Sequence, residues 1–355
     1  MELELFEKLS GRSVVADWVE LRAVQSGKSV FSADLQRSDS VLSDPANGVV
    51  FDVETDEQVE REIIDDEQDA FDEAIWAELK FRESVLGDSY PFELITKHSR
   101  WELRPRTRRR EPVRAVEVLY LACLIMSGMR SGLLSKDGED DEEFNRLTRD
   151  AANVLQSASF VAASGLVGGE SHWFGWPRPD GTTKMRDALN ELIQRIGHGK
   201  LKQRDPAWTT GYEKDGTVDL VVWRPFRDKR HGGVLVLGQV ASGLNWIEKS
   251  PKTFVDSHFN DWFEEPLEHQ FLTAMFIPFM LHSKAEEQKD RSFDEVAEDK
   301  IRQLSIVHGT LVDRVRLVDL VRERIEESAS DERTRVFGIG LYRWYARAYR
   351  ALTAS

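Results

Sequence analysis

Asp219 interrupts an apolar run, Val218 to Trp223, in which Val218, Leu220 and Val222 alternate with Val221 and Trp223. A carboxylate in such a setting costs free energy unless it is paired or binds a metal. Gln239 lies near the end of the next apolar run, Val234 to Val240, on one face with Leu235 and Leu237. Side chains on adjacent strands stand about 5 Å apart, so a carboxylate and an amide oxygen there could share one divalent cation. Oxygen donors suit Mg²⁺ or Mn²⁺ better than zinc. Two further residues could serve the same centre. Glu191 flanks a helical apolar stripe and can point to the sheet edge, and Lys249 follows the second strand at the mouth of the next helix. Cys123 is the only cysteine, which excludes disulfides within the chain and cysteine-held zinc. The eight His residues show no HxH or HExxH spacing, and the chain has no GxxxxGK[ST] phosphate loop.

These residues need a scaffold. Met185, Ala188, Leu189, Leu192 and Ile196 form a one-sided stripe that predicts a helix stopped by Gly197 and Gly199. Strands are expected at 217–223 and 234–240, joined by a turn at Arg-His-Gly-Gly. Ser250-Pro251 has the pattern of a helix start, with Ser as N-cap and Pro first. Residues 271–279 and 304–308 read as strands, 311–327 as a helix, and GLVGGESHWFGWPRP as a loop. Strands apolar on both sides belong to a sheet covered by helices on both faces. Upstream, helices are expected at 12–24, 59–86, 113–129 and 144–160, with 26–47 as loop.

With these elements in place, the chain resembles the PD-(D/E)XK nuclease superfamily, the restriction-endonuclease-like fold. The resemblance covers about residues 180–310. It rests on Glu191 in DALNELIQRI, Asp219 in GTVDLVVWRPF and Gln239-Val240-Ala241 in LVLGQVASGLNW. Two positions depart from the family pattern: Gln239 replaces the usual acid, as in a branch that uses Gln-X-Lys, and Ala241 replaces the lysine. Lys249 is then the candidate for a lysine moved to the following helix. The wider string also looks like superfamily members found in bacterial defence loci. The resemblance implies an α/β (α+β) fold with a central mixed sheet flanked by helices and a mostly helical N-terminal domain. It implies a metal-dependent endonuclease acting on DNA, with Asp219, Gln239, Glu191 and Lys249 catalytic, the first three holding Mg²⁺ or Mn²⁺. The alternative is an inactive nuclease-fold module that binds nucleic acid or a partner protein. A defence role implies a partner such as an ATPase or sensor, and nucleases of this fold often form homo-oligomers.

The net charge of −15 speaks against nucleic acid until it is divided. Residues 52–73 hold 12 acids and one Arg, and 137–143 hold six acids, which leaves the rest of the chain at +2. Residues 100–114 carry seven Arg, including Arg106, Arg108, Arg109 and Arg110, around Trp101. An Arg cluster beside an aromatic suits phosphate and base contact. Arg224, Arg227, Lys229 and Arg230, between the two strands, are candidates for the DNA backbone, and Trp246 for lining the site. The expected layout is a helical domain over 1–136, an acidic linker over 137–143, a nuclease-like domain over 144–328 and a C-terminal helix over 329–355. No apolar run reaches the roughly 20 residues of a membrane span, and the opening MELELFEKLS lacks the basic and apolar regions of a signal peptide, so the expected compartment is the cytoplasm.

Overall fold

The computed structural model describes residues 1–3, 12–39, 56–97, 100–106, 115–136, 138, 141–211, 217–228, 230, 232–268, 270–281, 293–327 and 332–354. The N-terminal part runs β1 (Glu2–Leu3), α1 (Arg12–Ser26), β2 (Val30–Phe31), α2 (Ser32–Asp39), α3 (Asp56–Leu86), β3 (Phe92–Lys97), β4 (Arg100–Pro105), α4 (Ala115–Ser131) and β5 (Leu134–Ser135). There follow α5 (Glu142–Val167), β6 (Glu170–Trp173), α6 (Met185–Ile196), β7 (Lys200–Leu201), β8 (Leu220–Arg224), β9 (Val234–Val240), α7 (Pro251–Phe254), β10 (Phe263–Glu265), β11 (Leu272–Phe276), α8 (Phe293–His308), β12 (Thr310–Val312), α9 (Arg314–Glu327) and α10 (Glu332–Thr353).

The central sheet has five strands in the order β12-β11-β9-β8-β6. β6, β8 and β9 are antiparallel neighbours, whereas β11 runs parallel to β9 and β12 parallel to β11. The fold is thus mixed α/β, as expected, and helices cover both faces. Leu220, Val222, Val236 and Phe276 pack on one side in a cluster that includes residues of α4, α5, α9 and α10. Val221, Trp223, Leu235 and Leu237 pack on the other, against α6 and the 251–262 region.

Local chemistry explains the helix ends that frame the sheet. The Asp141 side chain accepts from Phe144 N at 2.8 Å and opens α5, and left-handed Gly168 closes it. Ser250 accepts from Thr253 N at 3.2 Å with Pro251 at the first position, as its sequence predicts. Three expectations differ. The Gly-aromatic loop contains strand β6. Residues 304–308 complete α8, and the strand follows at Thr310–Val312. The expected loop 26–47 holds β2 and α2 in its described part.

One hydrophobic cluster runs from Met1 through α1, α4 and α5 to Leu352 and takes in one face of the sheet. The core therefore crosses the boundary expected at 137–143, and α10 packs on α4 and α5. No described helix is long and apolar enough to cross a membrane.

Candidate functional site

Asp219 immediately precedes β8, at the end where the β8–β9 ladder stops. Its N–H donates to Gly238 O at 2.8 Å, and its carbonyl accepts from Phe174 N at 2.9 Å and Gly175 N at 2.6 Å. The carboxylate extends the ladder: Oδ2 accepts from Val240 N at 2.7 Å. One step on from the pair Leu220↔Gly238, the register places Asp219 opposite Gln239. Gln239 is buried, and its Oε1 has no hydrogen-bond partner.

The third residue here is Gln156 of α5. A Cβ on Gly175 would lie 2.1 Å from Gln156 Nε2 and 2.6 Å from Asp219 Oδ1, so both side chains crowd the same point above this glycine. Gln156 is buried, and its Nε2 is also without a partner. Unsatisfied buried amide atoms cost about 1–3 kcal/mol each and call for an explanation. A half-turn of the Gln156 amide presents its oxygen instead.

The absence of a side chain at residue 175 keeps this space open. Gly175→Ala is expected to displace Gln156 or Asp219 and to destabilise the fold by about 1–3 kcal/mol, the usual penalty of overpacking. A urea titration beside wild type measures it. The loop bearing Gly175 is held by buried Arg178, which donates from Nε to Phe174 O at 2.9 Å and from Nη1 to Thr182 O at 3.1 Å.

The other expected site residues make different contacts. Glu191 accepts from Arg195 Nε at 3.0 Å and Nη2 at 2.7 Å along α6. Lys249 is exposed and closes the short 244–248 turn, beside Ser250, whose Oγ donates to Val307 O at 2.7 Å. Val307 precedes β12, so Lys249 lies toward the entry end of the parallel strands, whereas Asp219 lies beside Val240 at their exit end. Trp246 does not line the site: it is fully buried, with its ring 5.3 Å from that of His308.

The expected nucleic-acid residues also separate from Asp219. Arg224 pairs with Val234 at the hairpin end of β8. Five residues of strand at about 3.3 Å each put this end roughly 17 Å from Asp219. Arg227 and Arg230 lie in the same turn, and Lys229 is outside the described residues. In the basic segment, Arg106 donates from Nε to Phe92 O at 2.9 Å, and Arg108, Arg109 and Arg110 are outside the described residues. Trp101 is buried with its ring 6.3 Å from that of Trp76, so it offers no platform for a base.

His172 of β6 pairs with Val221, two residues from Asp219. Burial, and then the charge of Arg195, pull its imidazole down to about 4. The unfolded chain takes up this proton near pH 6.5, and the folded chain refuses it until about pH 4. Stability from this group is present above pH 6.5 and is lost as pH falls toward 4. The expected loss between pH 7 and pH 5 is about 2 kcal/mol. Urea titrations at the two pH values should show it, and His172→Phe should flatten it.

Comparison of the chain with family models, with curated proteins and with solved structures returned no match.

Proposed function

We infer that the protein is a metal-dependent endonuclease acting on DNA, with its centre at Asp219, Gln239 and Gln156. The observation that carries this is the Asp219 carboxylate at a strand end with a buried glutamine of unsatisfied amide on each face of the sheet, Gln156 from α5 crowding the point above Gly175 with it and Gln239 opposite it in register on the α6 side. A cation with oxygen ligands satisfies the orphaned carbonyl oxygen of Gln239, and the carboxylate supplies the charge. Among the described residues no group of three or more His, Cys, Asp or Glu could hold a metal. One carboxylate and two amides are oxygen donors of the kind that suits Mg²⁺ or Mn²⁺, which commonly take one or two carboxylates and complete their shell with water and substrate phosphate. These donors do not fit zinc.

A divalent cation held there would supply positive charge at the scissile phosphate and lower the pKa of water. The chain's own part is positioning. Val240 N–H fixes one carboxylate oxygen of Asp219, Gly175 leaves space where the other meets Gln156, and Gln239 stands opposite in register on the α6 side. The antiparallel β6-β8-β9 unit followed by parallel β11 is compatible with a restriction-endonuclease-like core. In that frame α5, directly before the first strand, takes the place of the helix that bears the family's acid.

A second reading has its own support. Ala241 stands where the family has lysine, and Lys249 lies toward the other end of the sheet, which favours a module that binds nucleic acid without cutting it. Incubating supercoiled plasmid with the full chain, in Mg²⁺ or Mn²⁺ and in chelator, separates the two. Metal-dependent nicking or linearisation is expected. DNA binding without cleavage under any metal would establish the inactive module instead.

A further inference from the structure

We propose a separate mononucleotide-binding pocket at the hairpin end of the sheet, on the side of α6. A cavity of about 370 Å³ opens there, within the size range of small-molecule sites. Three guanidinium groups from three different elements line it: Arg195 from the last turn of α6, Arg224 from the end of β8 and Arg230 from the hairpin turn. Two carboxylates, Glu170 and Glu268, also line it.

The charges are not evenly committed. Glu268 is turned to structure: it accepts from Gly232 N at 3.2 Å and Gly233 N at 3.1 Å, and its Oε1 lies 3.3 Å from His198 Nε2. Arg224 Nη1 donates to the Val167 carbonyl at 3.3 Å, a neutral partner. Arg230 lies 3.3 Å from Asp228 at an exposed tip and can swing toward the cavity. Arg195 shares Glu191 along the helix, which occupies one side of its fork. The cavity thus gathers three guanidinium groups, the side chain best suited to phosphate.

Its remaining walls favour more than an inorganic ion. Trp223 and Leu235 contribute apolar surface, and the C-terminal turn of α6 ends at Gly197 in the wall. The last carbonyls of a helix lack intrahelical donors and suit the exocyclic amine of a base. Phosphate at the arginines and an amino-bearing base at the helix end describe a nucleoside monophosphate. The pocket does not depend on the nuclease reading, because it lies about 17 Å along β8 from Asp219.

The probe is AMP, with inorganic phosphate and a short single-stranded oligonucleotide as comparison arms, titrated calorimetrically into the full chain. AMP should bind more tightly than phosphate or the oligonucleotide. Arg224→Gln and Arg230→Gln should each weaken AMP about 10-fold, the scale of one charge-assisted contact. Arg230 is exposed, so its variant keeps the test valid if Arg224→Gln fails to fold. Asp219→Asn should bind AMP as wild type does. No AMP binding at 10 mM, on the order of the weakest measurable affinity, would overturn the pocket. So would AMP binding unchanged in both arginine variants. Equal affinity for AMP and phosphate would reduce it to an anion site, and preference for the oligonucleotide would reassign it to nucleic acid.

Discussion

Asp219→Asn is expected to lower metal-dependent DNA cleavage on the order of 10³-fold, about 4 kcal/mol of transition-state stabilisation. Asparagine keeps an oxygen to accept from Val240 N, which the native carboxylate does at 2.7 Å. The end of the β8–β9 ladder should therefore survive, and unfolding stability should change by less than about 1 kcal/mol. What is lost is the only carboxylate among Asp219, Gln239 and Gln156, and with it the charge that holds a cation. Lys249→Ala and Glu191→Gln should leave cleavage within about twofold of wild type, since Glu191 is held by Arg195 and Lys249 lies toward the other end of the sheet; a 10²-fold loss, the scale of a removed acid or base, would return them to the centre. Rates on supercoiled plasmid for the three variants decide between these outcomes.

Arg314→Met is expected to destabilise the fold by about 3–5 kcal/mol, because it removes the bidentate one of the two arginines that compensate the buried Asp17 carboxylate. Arg314 follows β12 and reaches into the N-terminal helices. Its Nη1 and Nη2 bind the two oxygens of Asp17 at 2.8 and 2.7 Å, and its Nε donates to Pro278 O at 3.0 Å. Arg82 completes the cluster, contacting Asp17 at 2.8 Å, Glu20 at 2.9 Å and Glu78 at 3.0 Å. Three buried carboxylates thus face two buried guanidiniums, with Arg12 4.0 Å from Glu78 at the margin. Burial opposes the charge on Asp17, but Arg314 and Arg82 outweigh it and hold its carboxyl below the usual range. Burial, together with the charge of Asp17, raises that of Glu20, whose oxygens take the hydroxyls of Tyr90 and Tyr120. Removing Arg314 would leave Asp17 and Glu20 to Arg82 alone, which also serves Glu78. The double variant Asp17→Asn/Arg314→Met should lose less than Arg314→Met alone, since the uncompensated carboxylate goes with the arginine. Urea midpoints of both variants measure the difference.

The sheet was legible in the sequence where apolar residues fill both sides of a strand. Val234–Val240 has the bounds its pattern predicts, and Asp219 stands out because it breaks such a run. The helix that completes the site was expected at 144–160, but its place beside Asp219 was not legible. β6 is four residues long, and its sequence ESHW is mostly polar, flanked by Gly168 and Gly169. It therefore reads as loop, although it pairs with β8 along its whole length. Once β6 is missed, α6 appears to be the helix before the first strand, and Glu191 is chosen in place of Gln156. The available signal was a polar residue inside the apolar surface of α5, where Gln156 adjoins Leu155 and Ala158. Lys249 was misplaced for another reason: spacing along the chain after β9 does not reveal that the 244–248 turn folds back, burying Trp246 against His308.

Titration of the full chain with Mn²⁺, followed by the electron paramagnetic resonance of the free ion, tests the centre most directly. Wild type and Lys249→Ala should each remove one Mn²⁺ per chain from the free signal, more tightly when an uncleaved DNA duplex is present. Asp219→Asn should lose that binding while remaining folded. No Mn²⁺ uptake by wild type with or without DNA, or uptake unchanged in Asp219→Asn, would contradict a metal centre at Asp219.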